Sequence, residues 1–259
     1  MRNFKLKDYN SADTIAAIAT FPSPAALGVI KISGKKALDI ISRLFIPRNK
    51  KDIKKAKTYT LHYGWIVDKS KVRRSQAQRN RAQPPRKGIP AGDQKSKVNT
   101  IIDEVLVSVM CGPNSYTRED VVEISCHGGV LILNRILQLI LCQGARLALP
   151  GEFTYRAFIN GRIDLIKAQS ILGIIDAKSE ESLALAGEQL KGKFSVKIEE
   201  IKKYLKGIFV ETEALINFPE DEVKVDISEI KRRLTALEHG LGLLLEGSKE
   251  AQVLKEGLR

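Results

Sequence analysis

The chain has no apolar run approaching the roughly 20 residues that cross a bilayer. Its longest candidate, GGVLILNRILQLILCQGA, is interrupted by Asn134, Arg135 and Gln138, so no membrane span is expected. The opening residues, MRNFKLKDYNSADTIAA, carry charge but no apolar segment of the secretory kind, and export is not expected. Cysteine is scarce: Cys111, Cys126 and Cys142 form no CxxC pair. An odd count suits reduced thiols and a cytoplasmic location better than a disulfide framework. Only three histidines accompany them, and no metal-ligand spacing appears. A GxxxxGK[ST] loop is missing as well. ISGKKALD has one glycine before Lys35 and Lys36, and LKGKFSVK lacks the first glycine at the required spacing. Without that loop no convergent backbone N–H groups cradle phosphates, and no Lys or Ser serves the β- and γ-phosphates and Mg²⁺.

What is present is length, apolar content and one concentration of positive charge. At 259 residues and 43% hydrophobic content the chain can fill one large core or two ordinary ones. The net charge of +13 is not spread evenly. Residues 69–97, KSKVRRSQAQRNRAQPPRKGIPAGDQKSK, hold ten Lys/Arg against one Asp, which leaves +4 for the other 230 residues. With almost no large apolar side chains and several Pro and Gly, this stretch cannot offset its ordering entropy and is expected to be disordered. Its flanks, YTLHYGWIVD and VNTIIDEVLVSVM, read as strands, so it is a long insertion in a hairpin connection. Two readings stand side by side: a tolerated, solvated loop, and a basic arm holding RNA non-specifically through phosphates.

The first half alternates strands and helices. TIAAIAT and LGVIKISG are β-rich, and KKALDIISRLF follows with apolar positions 37, 38, 40, 41, 44 and 45 on one side of a helix. VVEIS leads through His127, Gly128 and Gly129 into a helix over about 129–142. RLALPGEFTYRAFINGRID closes an α/β (α+β) unit with a mixed sheet, placed at 1–162. From residue 163 the pattern is helical in period, with Ser179 the N-cap of a long second helix and FPEDEV a break before a further one. The expected architecture is therefore an α/β domain followed by an all-α domain at 163–259. The ending KEAQVLKEGLR has no capping Gly-Pro sequence or polar tail, which reads as a domain join and an incomplete helical domain.

DTIAAIAT at 13–20, GVIKISG at 28–34, GPNSYTREDVVEISCHGG at 112–129, PGEFTYRAFINGRIDLIKAQ at 150–169 and FPEDEV at 218–223 closely resemble the tRNA modification GTPase family known as MnmE or TrmE. The likeness runs in order from Asp13 to the last residue apart from the basic insertion. It implies a tetrahydrofolate-binding, dimerising N-terminal domain and a helical domain into which a Ras-like GTPase domain is inserted. It further implies a homodimer working with the flavoprotein MnmG (GidA) on tRNA, adding an aminomethyl-type group at carbon 5 of the wobble uridine. The one-carbon carrier would be 5-formyltetrahydrofolate or 5,10-methylenetetrahydrofolate. GTP, Mg²⁺ and K⁺ would belong to the full-length family protein: LKEGLR leads in the family to the P-loop, which this sequence lacks, as it lacks the family's Cys-x-Gly-Lys tail. No GTPase domain and no GTP hydrolysis are expected of this chain alone, and no catalytic or metal-binding residue is assigned in it.

A reduced pterin offers donors in a row that one carboxylate can accept, and a glutamate tail needs cations, so such a site wants an acid at one end and bases at the other. By resemblance, Lys31, Glu123 and Arg162 match the family's folate contacts. The family more often has Arg at the first position and Lys at the last; a lysine at 31 gives up a bidentate fork. From the residues alone, Glu123 on an alternating strand also fits an exposed outer face, and Lys31 and Arg162 read as solvated charges.

Secondary candidates are His127, Gly128, Gly129, Arg156 and Asn160. Gly128 and Gly129 are expected where φ > 0 or close backbone approach is needed, with helix-start N–H groups facing an anion or carbonyl. His127 reads as a turn residue lining the pocket rather than a proton shuttle, since no acidic partner can be assigned. Gly161 is expected to cap a short helix from which Arg156 and Asn160 support the pocket, support a dimer contact, or tie the two domains together. FPSPAALG, read as a loop, departs from the Gly-rich stretch usual in the family, which bears on the pocket wall. Two other functions compete: an RNA-binding adaptor using the 69–97 arm, and a stand-alone folate-dependent one-carbon transferase, which would need a general base such as His127.

Overall fold

The computed structural model describes residues 12–21, 23–69, 100–217 and 226–256. Apart from Lys69, the stretch expected to be disordered lies outside these, as does the FPEDEV break. The chain divides into two compact units, Met1–Arg162 and Ile163–Arg259.

The first unit is built on seven strands: β1 (Ile15–Ile18), β2 (Ala25–Ser33), β3 (Phe45–Pro47), β4 (Thr60–Asp68), β5 (Thr100–Met110), β6 (Val121–Gly128) and β7 (Arg146–Leu147). Their order across the sheet is β3-β4-β5-β6-β2-β1-β7. β1 pairs parallel with β7 and the other neighbours pair antiparallel, so the sheet is mixed. Three helices accompany it: α1 (Ala37–Leu44), α2 (Val130–Cys142) and α3 (Glu152–Ile159). α1 buries Ala37, Ile40, Ile41 and Leu44, and α2 buries Leu133, Ile136, Leu139 and Ile140. Both sets follow the spacing that places residues on one helical face. They pack on Ile30, Ile32, Val107, Val122 and Ile124 from the inner strands. Each Val, Leu or Ile side chain so removed from water contributes about 1.5–3 kcal/mol before entropy is counted.

Strand alternation sends the intervening residues to the opposite face. Along β6, Val122, Ile124 and Cys126 enter the core while Glu123, Ser125 and His127 do not. Toward the start of β6 this second face is closed by the 111–120 loop and α3, and Ser33 and Val121 are fully buried there. Farther along it stays open, with Leu27, Leu61 and Leu106 exposed.

Several boundaries differ from the sequence reading. β2 begins at Ala25, two residues before the expected LGVIKISG strand, and pairs irregularly to β6 between Ala25 and Leu27, so Ala25 and Ala26 are strand rather than loop. β6 runs on through His127 and Gly128, which sit in the sheet and not in a turn. Phe45 starts β3 instead of ending α1, because its partner Ile66 on β4 draws the backbone into the ladder.

The second unit contains α4 (Leu165–Ile175), α5 (Glu180–Lys191), α6 (Lys193–Asn217) and α7 (Ile227–Glu256). Asp164 caps α4 by accepting from the Lys167 N–H at 2.8 Å. Ser179 caps α5 as expected, within a reciprocal pair with Ser182 at 3.2 and 3.3 Å. The expected long second helix is nevertheless two helices. Gly192 at φ +93° takes a left-handed turn between α5 and α6. A groove of about 1090 Å³ runs along α6 over Val196, Leu205 and Phe209, edged by Lys191, Lys202 and Lys206. No helix among the described residues is long and apolar enough to cross a membrane.

Candidate functional site at the Lys31–Glu123 pair

The register of β2 against β6 sets Lys31 directly opposite Glu123. Lys31 Nζ lies 2.9 Å from Glu123 Oε1, with the side chains 22% and 31% exposed. That partial exposure keeps both groups within reach of a ligand while screening them less than a free surface pair. The same ammonium sits 5.2 Å from the ring centroid of Tyr116 and 5.7 Å from that of Phe153. The Arg162 guanidinium lies 4.9 Å from the Tyr116 centroid. Lys31 and Arg162, far apart along the chain, thus meet at one tyrosine, with Glu123 paired to Lys31. Arg162 is delivered by the end of α3. Gly161 turns left-handed at φ +70°, and the Arg162 N–H donates to the Ala157 carbonyl at 2.9 Å.

A polar framework holds this corner. The Tyr116 and Thr154 hydroxyls are 3.0 Å apart, which pins the ring to α3. Asn160 donates to the Thr117 carbonyl at 2.6 Å, and Arg118 donates to the Asn160 carbonyl at 3.0 Å. Beneath lies a ladder of charges. Arg146 donates to Asp13 at 3.1 Å and Glu152 at 2.8 Å. Arg156 donates to Glu152 at 3.1 Å, Glu119 at 3.0 Å and the Asp13 carbonyl at 2.8 Å. Ser33 adds a hydrogen bond to Glu119 at 2.6 Å. Arg156 and Glu152 are almost fully buried. Removing one member of such a pair costs about 3–5 kcal/mol, because the other charge is left unmatched. Burial pushes the Glu152 carboxyl up, but hydrogen bonds from Arg146, the Leu149 N–H and Arg156 outweigh it and hold the carboxyl below its ordinary value. Arg156 and Asn160 therefore stand behind this corner, bracing the loop that carries Tyr116.

His127 is placed elsewhere on the sheet. It lies four residues beyond Glu123 on the same face of β6, about 13 Å along the strand. Its Nδ1 is 2.7 Å from Asp103 Oδ1, and its backbone N–H donates to Asp103 Oδ2 at 2.8 Å. Asp103 is the acidic partner that the sequence alone did not supply. Gly128 meets the close-approach requirement, since a Cβ there would stand 2.4 Å from the Ala25 carbonyl oxygen. Neither Gly128 nor Gly129 has positive φ. Gly129 is an extended N-cap of α2 at φ −71°, so backbone strain does not explain the pair. Burial raises the neighbouring Cys126 thiol to about 11, which removes it as a nucleophile. Among the described residues no cluster of three or more His, Cys, Asp or Glu could hold a metal ion.

Tyr116 and Phe153 beside the Lys31–Glu123 pair, and Asp103 beside His127, are the contacts that sequence reasoning missed. The two rings lie inside GPNSYTRED and PGEFTYRAF, blocks already singled out, so an aromatic in each was the available signal. Asp103 had none, because its contact crosses from β5 to β6.

A sheet module carrying an acid, two cations and two rings at one corner, joined to a module of helices, defines a two-part protein of the α/β-plus-helical class. Residues 14–162 match the family of the GTP-binding protein TrmE N-terminus, and residues 165–259 match the MnmE helical domain. The chain is 44% identical over 248 residues to the tRNA modification GTPase MnmE of Thermoanaerobacter pseudethanolicus, covering 95% of this chain and 48% of that protein. It is 41% identical over 247 residues to the protein of that name from Carboxydothermus hydrogenoformans, with the same coverage of each. With the Enterococcus faecalis protein the figures are 37% over 251 residues, 95% and 47%. The chain belongs to the MnmE family of tRNA modification GTPases and spans about half the length of the curated relatives it matches.

Proposed function

We propose that the first unit binds a reduced folate, 5-formyltetrahydrofolate or 5,10-methylenetetrahydrofolate, at the Lys31–Glu123 corner. The observation that carries this reading is the convergence of Lys31 and Arg162 on Tyr116, with Glu123 paired to Lys31. A half-exposed carboxylate suits the donor edge of a pterin, which offers two N–H groups to one acceptor. The exposed guanidinium of Arg162 suits the carboxylates of the tail. The residues present therefore fit the carrier. When bound it supplies the one-carbon unit; the protein's own groups bind and orient it. In the assembled system the chain serves as the folate-holding, homodimeric part of an enzyme that modifies carbon 5 of the tRNA wobble uridine in the cytoplasm. MnmG is its partner there, and GTP with Mg²⁺ and K⁺ acts on the portion of the relatives that this chain does not span. Pairing of two copies is supported by the open part of the sheet face, where Leu27, Leu61 and Leu106 are exposed beside half-buried Tyr63 and Trp65. Calorimetry with 5-formyltetrahydrofolate tests the reading. The wild-type chain binds under dimeric conditions, and Glu123→Ala loses binding while keeping its melting temperature. Absence of wild-type binding overturns it.

A further inference from the structure

Resting on the folate reading above, we infer that Tyr116 and Phe153 form the slot that recognises the flat ring of the ligand, as specificity-determining contacts beside Glu123. Three distances from a single atom locate it. Lys31 Nζ is 2.9 Å from the Glu123 carboxylate, 5.2 Å from the Tyr116 centroid and 5.7 Å from the Phe153 centroid. Both ring faces and the acceptor therefore lie around the same atom. An ammonium over two rings is a cation–π arrangement, in which the negative π faces turn toward positive charge. A planar heterocycle whose N–H edge is gripped by Glu123 carries partial positive charge on that edge and a stacking surface behind it. It satisfies both rings as the ammonium does, with far more contact area. The Tyr116 ring is held in place, and the Phe153 backbone with it. Tyr116 is tethered through its hydroxyl to Thr154, and the residue next to Thr154 is Phe153 on the same turn of α3. α3 is in turn locked to the 111–120 loop through Arg156 and Glu119. A side chain held as Tyr116 is loses little freedom when a ligand arrives, so its contact is realised as affinity.

The slot separates ring recognition from apolar bulk, and the substitutions are chosen accordingly. Phe153→Leu keeps volume and hydrophobicity but removes the π face; Phe153→Tyr keeps the face. Tyr116→Leu and Tyr116→Phe form the matching pair. The probe is 5-formyltetrahydrofolate, measured by calorimetry on the chain, with circular dichroism confirming that each variant is folded. The leucine variants weaken binding about tenfold or more, the scale of a lost stacking contact. The ring-retaining variants stay within about threefold of the parent. Leucine variants that bind within twofold of a binding parent overturn the slot and leave the Lys31–Glu123 reading intact. Phe153→Tyr losing as much as Phe153→Leu also overturns it, because a π face would not then be what matters. A parent that does not bind removes both proposals together.

Discussion

Glu152 shows how one carboxylate can bear on a whole corner of the molecule. Almost fully buried, it is kept ionised by two guanidiniums and a backbone N–H. Its folded pKa lies below the ordinary 4.5. A carboxyl depressed on folding contributes stability that is fully present above the unfolded value and lost as pH falls through the folded one. Unfolding in urea is therefore expected to show the first unit losing stability as pH drops below about 4.5. Glu152→Gln is expected to flatten that acid limb and to cost about 3–5 kcal/mol near neutrality, since Arg146 and Arg156 lose their shared partner. An unchanged acid limb in the variant would place the titration in other carboxylates. At this scale the sequence was informative about residue types and silent about partners. Lys31, Glu123 and Arg162 were identified through resemblance to a family, and from their own surroundings each also read as an ordinary surface charge. The Lys31–Glu123 contact depends on the register between strands about 90 residues apart, which local pattern does not encode. The same reason hid Asp103 from His127.

Among the elements, those with strong local chemistry were legible and those set by pairing were not. α1 and α2 declare themselves through apolar spacing, and α5 through the serine at its start. β3 and β7, of three and two residues, carry no periodic signal, and they exist because neighbouring strands offer free ladder edges. The division between α5 and α6 turns on Gly192. The helical period continues on both sides of it, so the pattern suggested a single long helix. A side chain at φ +93° is strained, and a Cβ there would also stand 2.8 Å from Lys167 Cε. Gly192→Ala is expected to destabilise the second unit by about 1–2 kcal/mol, read as a lower melting temperature. An unchanged or raised melting temperature would mean that α5 and α6 straighten into one helix at no cost.

For the whole molecule, the two-unit plan and the mixed sheet were legible because composition changes sharply near residue 163. The distribution of charge was legible too, and it poses its own test. β4 and β5 are adjacent antiparallel strands paired from Thr60–Val109 to Asp68–Thr100, so the basic 69–97 stretch joins two already paired strands. Asp68 and Thr100 lie at the end of the sheet away from the Lys31–Glu123 corner. If the arm serves RNA, replacing residues 70–97 by a short turn is expected to weaken binding of bulk tRNA and flatten its salt dependence, while folate affinity is unchanged. Equal tRNA affinity and salt slope in the two proteins would assign the arm no role in RNA binding.

The charge ladder under Tyr116 has a dynamic corollary. It joins the segment entering β1 through Asp13, the loop through Glu119 and α3 through Glu152 and Arg156, so none of the three can swing away without stranding a buried ion. Such segments open together as one cooperative foldon or stay shut. Amides around the tyrosine should then exchange their hydrogens at the slow pace of the strands they rest on, although the chain there has the outward form of a surface loop.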